Sequence, residues 1–464
     1  MTDLAQIWQQ YYNNVPVQLQ QSVNIGTVAT AFNTNIDAVV KISGQRLSIL
    51  AQQFELKKED IASAQTSINT PKDAIRGICK CFINGIAEEW LIDNIATAEW
   101  LKKNIPHDRL AMGGQAGIIA NLAAVLGVQH VIAHTASHPQ TQAAQFLPYD
   151  NLLSFDEQGN LAPAHQICRQ KEAPLIHQII EFAKDDVLML NNKTYTCPKA
   201  NRFIATYDPA NLALMMNNSF VQHINQNGYD YLILSGLHNL TANTGGLKRI
   251  EAVVELLQQW RLSCPKGLIH LEMASTQDKT IRRAVVEKIA PLADSLGLND
   301  REALDIIEVI DAPHFAKINH KQPSAADLFD ILLKIKNITQ TPRIQLHMFG
   351  LYITLQNKDY RISAQQNRAG MLTAAVVAAS KAGYGKIEKS ADLLWVLQNQ
   401  NGNFNFTALQ NLSAHLSAPQ LTSTGIFENE NYTLIATPTL LINNPKTLVG
   451  MGDTISATSL LCAR

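Results

Sequence analysis

The sequence lacks the features that would place the protein in a membrane or in the secretory pathway. It contains no run of about 18 apolar residues, the minimum that a membrane-spanning helix needs. Its first residues have neither the basic segment nor the apolar core of a signal peptide. Lysine and arginine number 38 and aspartate and glutamate 39, so the net charge of −1 offers no general attraction for nucleic acid or an anionic membrane. We therefore expect a cytoplasmic protein that binds neither.

Cysteine is also scarce, and its spacing excludes two common uses. The six cysteines include no C-x-x-C pair and no histidine partners at zinc-finger distances. We interpret them as free thiols in a reducing compartment. The sequence has no internal repeat and no low-complexity linker, whereas its 464 residues and 46% hydrophobic content suffice for two or three packed domains.

Strand-like and helix-like segments alternate along most of the chain. Residues 229–237, "YDYLILSGL", form an apolar run typical of a strand buried on both faces, and the following "LKRIEAVVELLQQWRL" has apolar residues at helical spacing. This alternation predicts an α/β fold with a mostly parallel sheet covered by helices on both faces. Further strands are predicted over residues 23–33, 266–275 and 433–442, and further helices over 3–13 and 279–297.

Two stretches interrupt this alternation. Short segments, including the hairpin-like "DDVLMLNNKTYTCP", occur between residues 38 and 111 and again between about 171 and 208. We expect them to form a smaller sheet outside the main one, and hence a second domain built from separate pieces. The predicted large domain comprises residues 1–36, 112–170 and 209–464, and the predicted small domain comprises residues 37–111 and 171–208.

The stretch "TLLINNPKTLVGMGDT" has the order strand, loop, Gly-x-Gly turn and helix start. In open α/β sheets the ligand lies beyond the carboxyl ends of the strands, so Asp453 is expected at that edge. Gly450 and Gly452 have no side chains to obstruct their N–H groups, which together with the helix dipole form an anion-binding site beside the carboxylate. The alternative is that Asp453 caps the helix, and by itself the pattern favours that ordinary role.

Two further motifs place polar residues near the same edge. "IHLEMASTQD" has His270 and Glu272 two residues apart on a predicted strand, so both side chains lie on one face and need a partner or a cation. "GLNDREAL" adds Asn299, Asp300 and Glu302 at a strand-to-helix corner. Asn299 and Glu302 also have the spacing of a capping box, and taken alone that structural role is favoured.

Together these motifs resemble those of the ADP-dependent sugar kinases, the glucokinase and 6-phosphofructokinase group of the ribokinase-like superfamily. The resemblance covers most of the chain and consists, in order, of "AFNTNIDAV", "AMGGQAGIIAN", "NRFI", "LILSGL", "HLEMASTQD", "GLNDREA" and "VGMGDTIS". It implies a ribokinase-like large α/β domain that binds the nucleotide and a smaller α/β lid domain. The implied activity is the Mg²⁺-dependent transfer of the β-phosphoryl group of ADP to a sugar hydroxyl, a step of glycolysis.

The resemblance also implies catalytic and metal-binding residues. Asp453 is implied to be the catalytic base, and the backbone N–H groups of Gly450 and Gly452 to stabilise the transferred phosphoryl group. An aspartate with a near-normal pKa of about 4 suffices for that role. Glu272, Glu302 and Asp453 are implied to hold Mg²⁺, in part through waters, because magnesium uses few carboxylates and retains waters.

Arg202, in "NRFI", matches the lid arginine that contacts the nucleotide phosphates in this family, with a surface salt bridge as the alternative. The residues implied to bind the sugar carry amides, carboxylates or a ring nitrogen that can pair with hydroxyl groups, or are glycines beside them. They are Asn35, Asp37, Glu88, Glu89, Gly113, Gly114, Gln115 and His177. Without the resemblance, Asn35 and Asp37 would be interpreted as turn formers.

Glucose is favoured over fructose 6-phosphate as the acceptor. "GIAEEW" carries Glu88 and Glu89, and the glucokinase branch has a sugar-binding carboxylate in this region. "APLIHQIIEF" places His177 where glucokinases have a sugar-contacting histidine, and Asp208 lies near a position where phosphofructokinases tend to have a second arginine. An acid there would repel a phosphate dianion. Against glucose, "AMGGQAGIIAN" and "GLYITL" resemble the phosphofructokinase branch, so that enzyme or a bifunctional one is the alternative.

Two more distant alternatives belong to other classes. One is a ribokinase-like kinase that uses ATP, against which the H-x-E motif and the long lid segments count only through the resemblance. The other is a non-catalytic sugar or nucleotide sensor, which we expect to lose the base or the metal ligands, yet these are all present. The sequence therefore favours a kinase whose partners are ADP and a hexose or hexose phosphate. His347 is not included in the predicted site, since a satisfied core histidine explains it equally well.

Overall fold

The structure is a computed structural model of the chain, and it describes residues 3–21, 24–63, 66–399 and 403–464. Two β-sheets, a two-stranded ribbon and the helices around them make up these residues. No helix within them combines the length and the apolar character that crossing a bilayer requires.

The strands have the following bounds in chain order. They are β1 Thr27–Ala31, β2 Asn35–Lys41, β3 Ser67–Ile68, β4 Glu88–Ile92, β5 Arg109–Gly113, β6 His130–Ala133, β7 Leu152–Phe155, β8 Leu161–Pro163, β9 Ile176–Phe182, β10 Val187–Leu190, β11 Lys193–Thr196, β12 Asn201–Tyr207, β13 Tyr231–Leu234, β14 Leu268–Glu272, β15 Ser295–Asn299, β16 Arg343–Met348, β17 Leu351–Gln356, β18 Ile426–Glu428 and β19 Thr433–Pro438.

The large sheet has eleven strands in the order β18-β19-β17-β16-β15-β14-β13-β1-β6-β7-β8. All neighbours from β16 to β7 are parallel, with Val28 opposite Tyr231 and Leu232 opposite Ile269. Its central strands are buried on both faces, which explains why they are continuous apolar runs rather than alternating patterns. The strands at both edges pair antiparallel.

Helices pack on both faces of the large sheet and on one face of the smaller sheet. They are α1 Leu4–Asn13, α2 Val15–Gln21, α3 Gly44–Gln53, α4 Lys58–Ile61, α5 Pro71–Asn84, α6 Ile95–Asn104, α7 Gln115–Val125, α8 Gln140–Ala143, α9 Pro209–Leu212, α10 Asn218–Asn227, α11 Gly246–Ser263, α12 Lys279–Ala284, α13 Asp300–Ile310, α14 Ala312–Phe315, α15 Ala325–Thr339, α16 Ala364–Tyr384, α17 Trp395–Asn399, α18 Thr407–His415, α19 Leu421–Thr424 and α20 Met451–Leu461.

Local capping chemistry determines where the major helices begin. The Thr70 side chain accepts from the Asp73 N–H and the Asp73 carboxylate accepts from the Thr70 N–H, so the pair satisfies free N–H groups at the start of α5. Ser363 and Gln366 form the same reciprocal pair at the start of α16. The long helix α16 thereby begins at a defined residue and runs alongside α20, against which it packs.

The smaller sheet has six strands in the order β3-β4-β12-β9-β2-β5. Its two faces differ because side chains alternate along each strand. Phe203 and Trp90 lie on one face and pack against α5, whose Gly77 has no side chain; a Cβ there would lie 2.5 Å from the Phe203 ring. Arg202 and Ile204 of the same strand lie on the other face, which borders a cavity. The predicted hairpin is the separate ribbon of β10 and β11.

One predicted helix is wrong in its second half. The sequence predicts a single helix over 279–297, but α12 ends at Ala284, and a π turn and a 3-10 turn follow as far as Leu292. Pro291 has no N–H with which to continue a helix. The next residues form β15, which pairs with strands on both sides in the centre of the large sheet. That pairing outweighs the helical spacing of the apolar residues.

The predicted fold class is confirmed, since a large, mostly parallel sheet is covered by helices and accompanied by a smaller sheet. The predicted strand over 23–33 is observed as β1, and Val23 lies outside the described residues. The strands of the smaller sheet lie between Asn35 and Gly113 and between Ile176 and Tyr207. Sheet membership alone does not test the predicted domain boundaries, which stay a prediction.

Candidate active site

A cavity of about 800 Å³ lies between the carboxyl edge of the large sheet and the uncovered face of the smaller sheet. Ligands of open α/β sheets bind at this edge. The large sheet contributes residues at or soon after the ends of its strands, together with the start of α20, and the smaller sheet contributes alternate residues of its strands. Among the lining residues are Asn33, Glu272, Asn299, Glu302, His347 and Asp453 from the first, and Asp37, Glu89, His177 and Arg202 from the second.

Asp453 lies in the first turn of α20, in the wall of the cavity, and is 8% exposed. The cap residue of this helix is Gly450, whose φ of 62° in the left-handed region suits glycine. No side chain of the described residues caps the helix, so the alternative that Asp453 is its cap is wrong. At Gly452 a Cβ would lie 2.9 Å from His347 Nε2, so the turn has no room for a side chain there.

Burial raises the pKa of Asp453, while the charge of Lys381, a hydrogen bond with Gln115 and the charge of Arg202 act in the opposite direction. A carboxylate acts as a base only in its ionised form, and the positive groups around Asp453 favour that form.

Lys381 is the cation beside Asp453 that the sequence analysis missed. Its Nζ donates to Gly450 O at 3.1 Å and to Thr454 Oγ1 at 3.0 Å, which connects α16 to the first turn of α20. Burial lowers the pKa of Lys381 to about 8, and the negative charge of Asp453 opposes this effect. The signal available in the sequence was a single lysine after "MLTAAVVAAS", because lysine is rarely found in so apolar a helix without a partner.

Glu272 ends β14 and Glu302 lies in the first turn of α13, directly after β15; they are 4% and 7% exposed. Glu272 Oε2 lies 3.1 Å from His270 Nε2. Glu302 Oε2 accepts from the Asn299 N–H at 2.8 Å, and Asn299 Oδ1 accepts from the Glu302 N–H at 2.9 Å. The capping box is therefore present, and the same Glu302 also lines the cavity.

The three acidic residues at this end of the cavity destabilise one another's charge. Burial raises the pKa of Glu302 to about 8 and that of Glu272 well above its usual range, and the charge of Asp453 contributes to both. No group of three or more His, Cys, Asp or Glu side chains forms a preformed metal site in the part of the chain that the structure describes. A few buried carboxylate oxygens facing a cavity nevertheless fit Mg²⁺, which takes its other ligands from water and phosphate.

Gly297 on β15 provides the space that Glu272 occupies. A Cβ at this position would lie 2.1 Å from Glu272 Oε2 and 2.9 Å from His270 Nε2. Sequence reasoning missed this residue, although a glycine inside a buried strand often marks the close approach of another group.

On the side of the smaller sheet, Asn35 and Asp37 lie on one face of β2 rather than in a turn. Asn35 Nδ2 donates to Asp37 Oδ1 at 3.0 Å, and Asn35 Oδ1 is buried without a partner among the described residues. Gly113 and Gly114 allow this contact, because a Cβ on them would lie 2.1 Å from Asp37 Oδ1 and 2.6 Å from Asn35 Oδ1 respectively. The structure thus brings these four predicted residues together.

Gln115 links this group to the other half of the site. Its Nε2 donates to Met273 O at 3.0 Å, in the segment after β14, and its hydrogen bond with Asp453 lowers the pKa of that residue. Gln115 Oε1 is buried without a hydrogen-bond partner among the described residues.

His177 faces three carboxylates. Its Nε2 lies 3.0 Å from Asp208 Oδ2, and it pairs in register with Asp37 on β2. Burial lowers the pKa of His177, but the hydrogen bond and charge of Asp208 and the charges of Glu89 and Asp37 outweigh it and raise the pKa to about 8. Burial in turn raises the pKa of Asp37 to about 6, which the charge of His177 opposes.

The two predicted glutamates of β4 have different hydrogen-bond partners in the structure. Glu89 lies on the cavity face, where its carboxylate accepts from Thr206 Oγ1 at 2.7 Å. Glu88 also borders the cavity, but its carboxylate accepts from Lys80 Nζ at 2.9 Å and from Trp90 Nε1 at 2.8 Å. Glu89 is therefore the one whose carboxylate shares a pocket with Asp37.

Arg202 on β12 lines the cavity and belongs to none of the ion pairs found in residues 3–21, 24–63, 66–399 and 403–464. Its charge lowers the pKa of both Asp37 and Asp453, so it lies between the two halves of the site. The alternative of a surface salt bridge is wrong.

Part of the cavity lining is apolar and was not predicted. Phe349 and Leu448 line it although they are 82% and 59% exposed, which is unusual for large apolar side chains. His347 also lines the cavity and is buried, and burial lowers its pKa to about 4. The exposure of Phe349 in "LHMFGLY" is a property of the folded chain.

A helix start that can bind an anion, a buried aspartate on it, two facing glutamates and a polar pocket with paired donors and acceptors define a class of enzyme. They are the parts of a phosphotransferase that acts on a hydroxyl group.

Comparison with known proteins identifies the family. Residues 26–462 match the ADP-specific Phosphofructokinase/Glucokinase conserved region. The chain is 26% identical to the ADP-specific phosphofructokinase of Methanosarcina acetivorans over 445 residues, covering 92% of this chain and 91% of the relative. It is 28% identical to the ADP-dependent glucose/glucosamine kinase of Pyrococcus abyssi over 467 residues, covering 98% of each. The chain therefore belongs to the ADP-specific phosphofructokinase/glucokinase family and is an ADP-dependent sugar kinase.

Solved structures agree with this assignment. An ADP-dependent kinase in complex with fructose 6-phosphate and ADPβS is similar with a TM-score of 0.82 at 25% identity, covering 98% of this chain and 97% of that chain. The predicted family and enzyme class are thus confirmed, and the alternatives of an ATP-using kinase and a non-catalytic sensor are not supported.

Proposed function

We propose that this enzyme transfers the β-phosphoryl group of ADP to the 6-hydroxyl group of glucose, giving glucose 6-phosphate and AMP. The observation that supports glucose is the charge of the cavity on the side of the smaller sheet. Asp37 and Glu89 line it there, and Arg202 is the one Lys or Arg that this sheet contributes among the described residues. Carboxylates accept hydrogen bonds from sugar hydroxyls, whereas a sugar phosphate needs cationic partners.

Asp453 acts in this proposal as the base that accepts the proton of the sugar hydroxyl while that oxygen attacks the β-phosphorus and AMP leaves. The N–H groups at the start of α20 and the dipole of this helix stabilise the oxygens of the transferred group. Lys381, bonded to Gly450 O, adds positive charge behind the same turn. The transition state of phosphoryl transfer is loose, so positioning and charge stabilisation matter more than the strength of the base.

The predicted Mg²⁺ fits Glu272 and Glu302, with Asp453 as the third predicted ligand, because their buried carboxylates line one end of the cavity. When bound, the ion supplies positive charge that neutralises the diphosphate and the charge that develops during transfer. The chain itself holds the carboxylates in position: the Asn299 N–H donates to Glu302 Oε2, and His270 Nε2 contacts Glu272 Oε2.

The apolar part of the cavity lining provides a surface on which the nucleoside of ADP can lie. We infer that adenine lies against Phe349 and Leu448, which remain largely exposed while lining the cavity. A flat base stacks on an aromatic ring and covers apolar surface that water otherwise contacts. Arg202, on the opposite wall, then faces the phosphates, where its planar guanidinium can make two hydrogen bonds at once.

We also propose that the smaller sheet and its helices are the lid domain, with the predicted boundaries 37–111 and 171–208. The supporting observation is that the sugar-facing groups and the phosphate-facing groups lie on different sheets. Closure on the sugar would exclude water and limit hydrolysis of ADP. X-ray scattering with glucose and a non-hydrolysable ADP analogue should show a more compact molecule, and an unchanged profile would contradict this proposal.

Fructose 6-phosphate is the second candidate acceptor, alone or beside glucose. Phosphofructokinase is the more frequent name among the relatives, and the similar solved structure contains this sugar phosphate. Within this chain, His177 is the group that favours it, since a pKa of about 8 leaves the ring cationic at neutral pH. Asp208 already pairs with that charge, which is why glucose remains the first candidate.

A crossed assay tests donor and acceptor together. The rates with ADP and ATP are measured against glucose and fructose 6-phosphate, with excess Mg²⁺. We expect ADP with glucose to give the highest kcat/KM, and a higher value with fructose 6-phosphate would refute the proposed acceptor. Asp453→Asn should lower kcat by about 10² to 10⁴-fold while leaving the KM values near those of the wild type.

Glu89→Gln tests the observation on which the acceptor depends. It removes one negative charge from the pocket and keeps a group that pairs with hydroxyls, so kcat/KM for glucose should fall by about tenfold or more. The same variant should use fructose 6-phosphate better than the wild type does. Glu88→Gln is the matched control and should have a smaller effect, because the Glu88 carboxylate is already paired with Lys80.

A further inference from the structure

Arg343 on β16 is a fully buried cation without a carboxylate partner. Its guanidinium is 0% exposed, and none of the ion pairs within the described ranges of the chain includes it. All its hydrogen-bond acceptors are neutral: Nε donates to Asn367 Oδ1 at 2.8 Å, Nη1 to Ser295 Oγ at 2.8 Å, and Nη2 to Gln345 Oε1 at 2.9 Å and Ser459 Oγ at 3.3 Å. A buried charge destabilises the fold unless hydrogen bonds or an opposite charge compensate it.

A continuous line of hydrogen bonds leads from this cation to Glu272. Ser295 lies on β15, in register with His270 on β14 and with Arg343 on β16. Its Oγ is 2.9 Å from His270 Nδ1, and His270 Nε2 is 3.1 Å from Glu272 Oε2. The line therefore crosses three adjacent parallel strands and ends at the carboxylate that faces the cavity.

Arg343 fixes the direction of one of these hydrogen bonds. A guanidinium can only donate, so Ser295 Oγ accepts from Nη1, which leaves its O–H free to donate to His270 Nδ1. When Ser295 donates to Nδ1, the proton of the neutral imidazole resides on Nε2 and is donated to Glu272 Oε2.

We propose that Arg343 and Ser295 are positioning residues for the phosphoryl transfer, which act through His270 to hold Glu272 by its Oε2 with the carboxylate turned to the cavity. This inference rests on the proposed role of Glu272 in binding Mg²⁺. The residues that orient a metal ligand set its geometry, and their loss typically weakens metal affinity or activity by about 10- to 100-fold.

Two matched variants test the kinetic consequence. Ser295→Ala and Ser459→Ala each remove one hydroxyl acceptor of the same guanidinium, and both serines are fully buried, but Ser295 alone is bonded to His270. We expect the apparent KM for Mg²⁺ to rise about tenfold or more in Ser295→Ala and less than about twofold in Ser459→Ala. Equal rises in the two variants, or none in Ser295→Ala, would overturn the proposal.

A spectroscopic measurement tests the tautomer without any turnover. Nitrogen-15 NMR of the full-length, Mg²⁺-free enzyme labelled at histidine reports the protonation of each ring nitrogen, and the signals of His270 are those lost in His270→Gln. We expect a single tautomer of the His270 ring in the wild type, and a mixture of tautomers in Ser295→Ala. A mixture in the wild type would overturn the inference even if Ser295→Ala fails to fold, and so would an unchanged His270 ring in a folded Ser295→Ala. This readout is independent of the acceptor sugar and of Asp453, so its failure is distinguishable from failure of the proposed function.

Discussion

Replacing Gly297 by alanine is a sharp test of the metal-binding role of Glu272, because it adds one methyl group at a known place. The new Cβ would lie 2.1 Å from Glu272 Oε2, whereas ordinary contacts begin at 3.4 Å. The carboxylate must therefore retreat by about 1 Å or more, and a misplacement of about 1 Å in an active site can lower the rate by about 10²-fold. His270 Nε2 and Ser456 Oγ would each lie 2.9 Å from the same Cβ, so the neighbourhood has no free space to absorb the change.

The assay is initial-rate measurement with ADP and glucose over a range of Mg²⁺ concentrations. We expect Gly297→Ala to lower kcat/KM by about a hundredfold and to raise the apparent KM for Mg²⁺. The added methyl group should also cost about 1 to 3 kcal/mol of unfolding free energy through overpacking, which a protein of ordinary stability tolerates.

Gly44→Ala is the matched control for that loss of stability. A Cβ on Gly44 would lie 2.1 Å from Val187 O, so the clash is equally close, but Gly44 does not line the cavity. We expect a comparable fall in the urea midpoint with an unchanged dependence on Mg²⁺. The metal-binding role of Glu272 is refuted if kcat/KM of Gly297→Ala stays within about threefold of the wild-type value. It is also refuted if both variants change the Mg²⁺ dependence alike.

Three further predictions follow from the described contacts. Lys381→Met should lower kcat by about tenfold or more with little change in the KM for glucose, because it removes the cation bonded to Gly450 O; an unchanged kcat at saturating substrates would contradict this. The folded-state pKa of His177 is raised from 6.5 to about 8, so its pairing with Asp208 contributes stability that is fully present below about pH 6.5 and is lost as the pH rises through about 8. In urea titrations between pH 6 and pH 9 the wild type should therefore lose about 2 kcal/mol more unfolding free energy than His177→Gln, and equal losses would show that the pair contributes nothing. Phe349→Ser should raise the KM for ADP several-fold, by about 1 kcal/mol of lost stacking, without changing the melting temperature or the KM for glucose; an unaltered KM for ADP would place the base elsewhere.

The residues that the sequence revealed most directly are those at the carboxyl ends of strands. Glu272, Glu302 and Asp453 each lie in a short polar motif beside a strand end or at the start of a helix, and parallel strands bring such ends to one edge of a sheet. Local pattern and a general rule of topology are therefore enough to predict that these carboxylates lie near one another.

Lys381 and Gly297 could not be predicted in this way. The contact of Lys381 with Gly450 joins residues 69 positions apart, and it exists because α16 packs against α20. The importance of Gly297 depends on the side chain of a neighbouring strand rather than on its own. In both cases the function of the residue is a property of a contact between distant segments, which no local pattern encodes.

The sequence by itself determined the alternation of strands and helices, the inventory of polar groups and the membership of a kinase family, because these depend on local spacing and on motifs. The tertiary structure alone decided which of Glu88 and Glu89 presents to the pocket a carboxylate that no lysine pairs with, since neighbours on a strand point to opposite faces and the pairing with β12 selects the face. It also decided that residues 295–299 form a strand, because pairing on both sides outweighs helical spacing. The raised pKa of Asp453 belongs to the same category, because burial and the positive charges around it are set by how the two sheets and α16 come together.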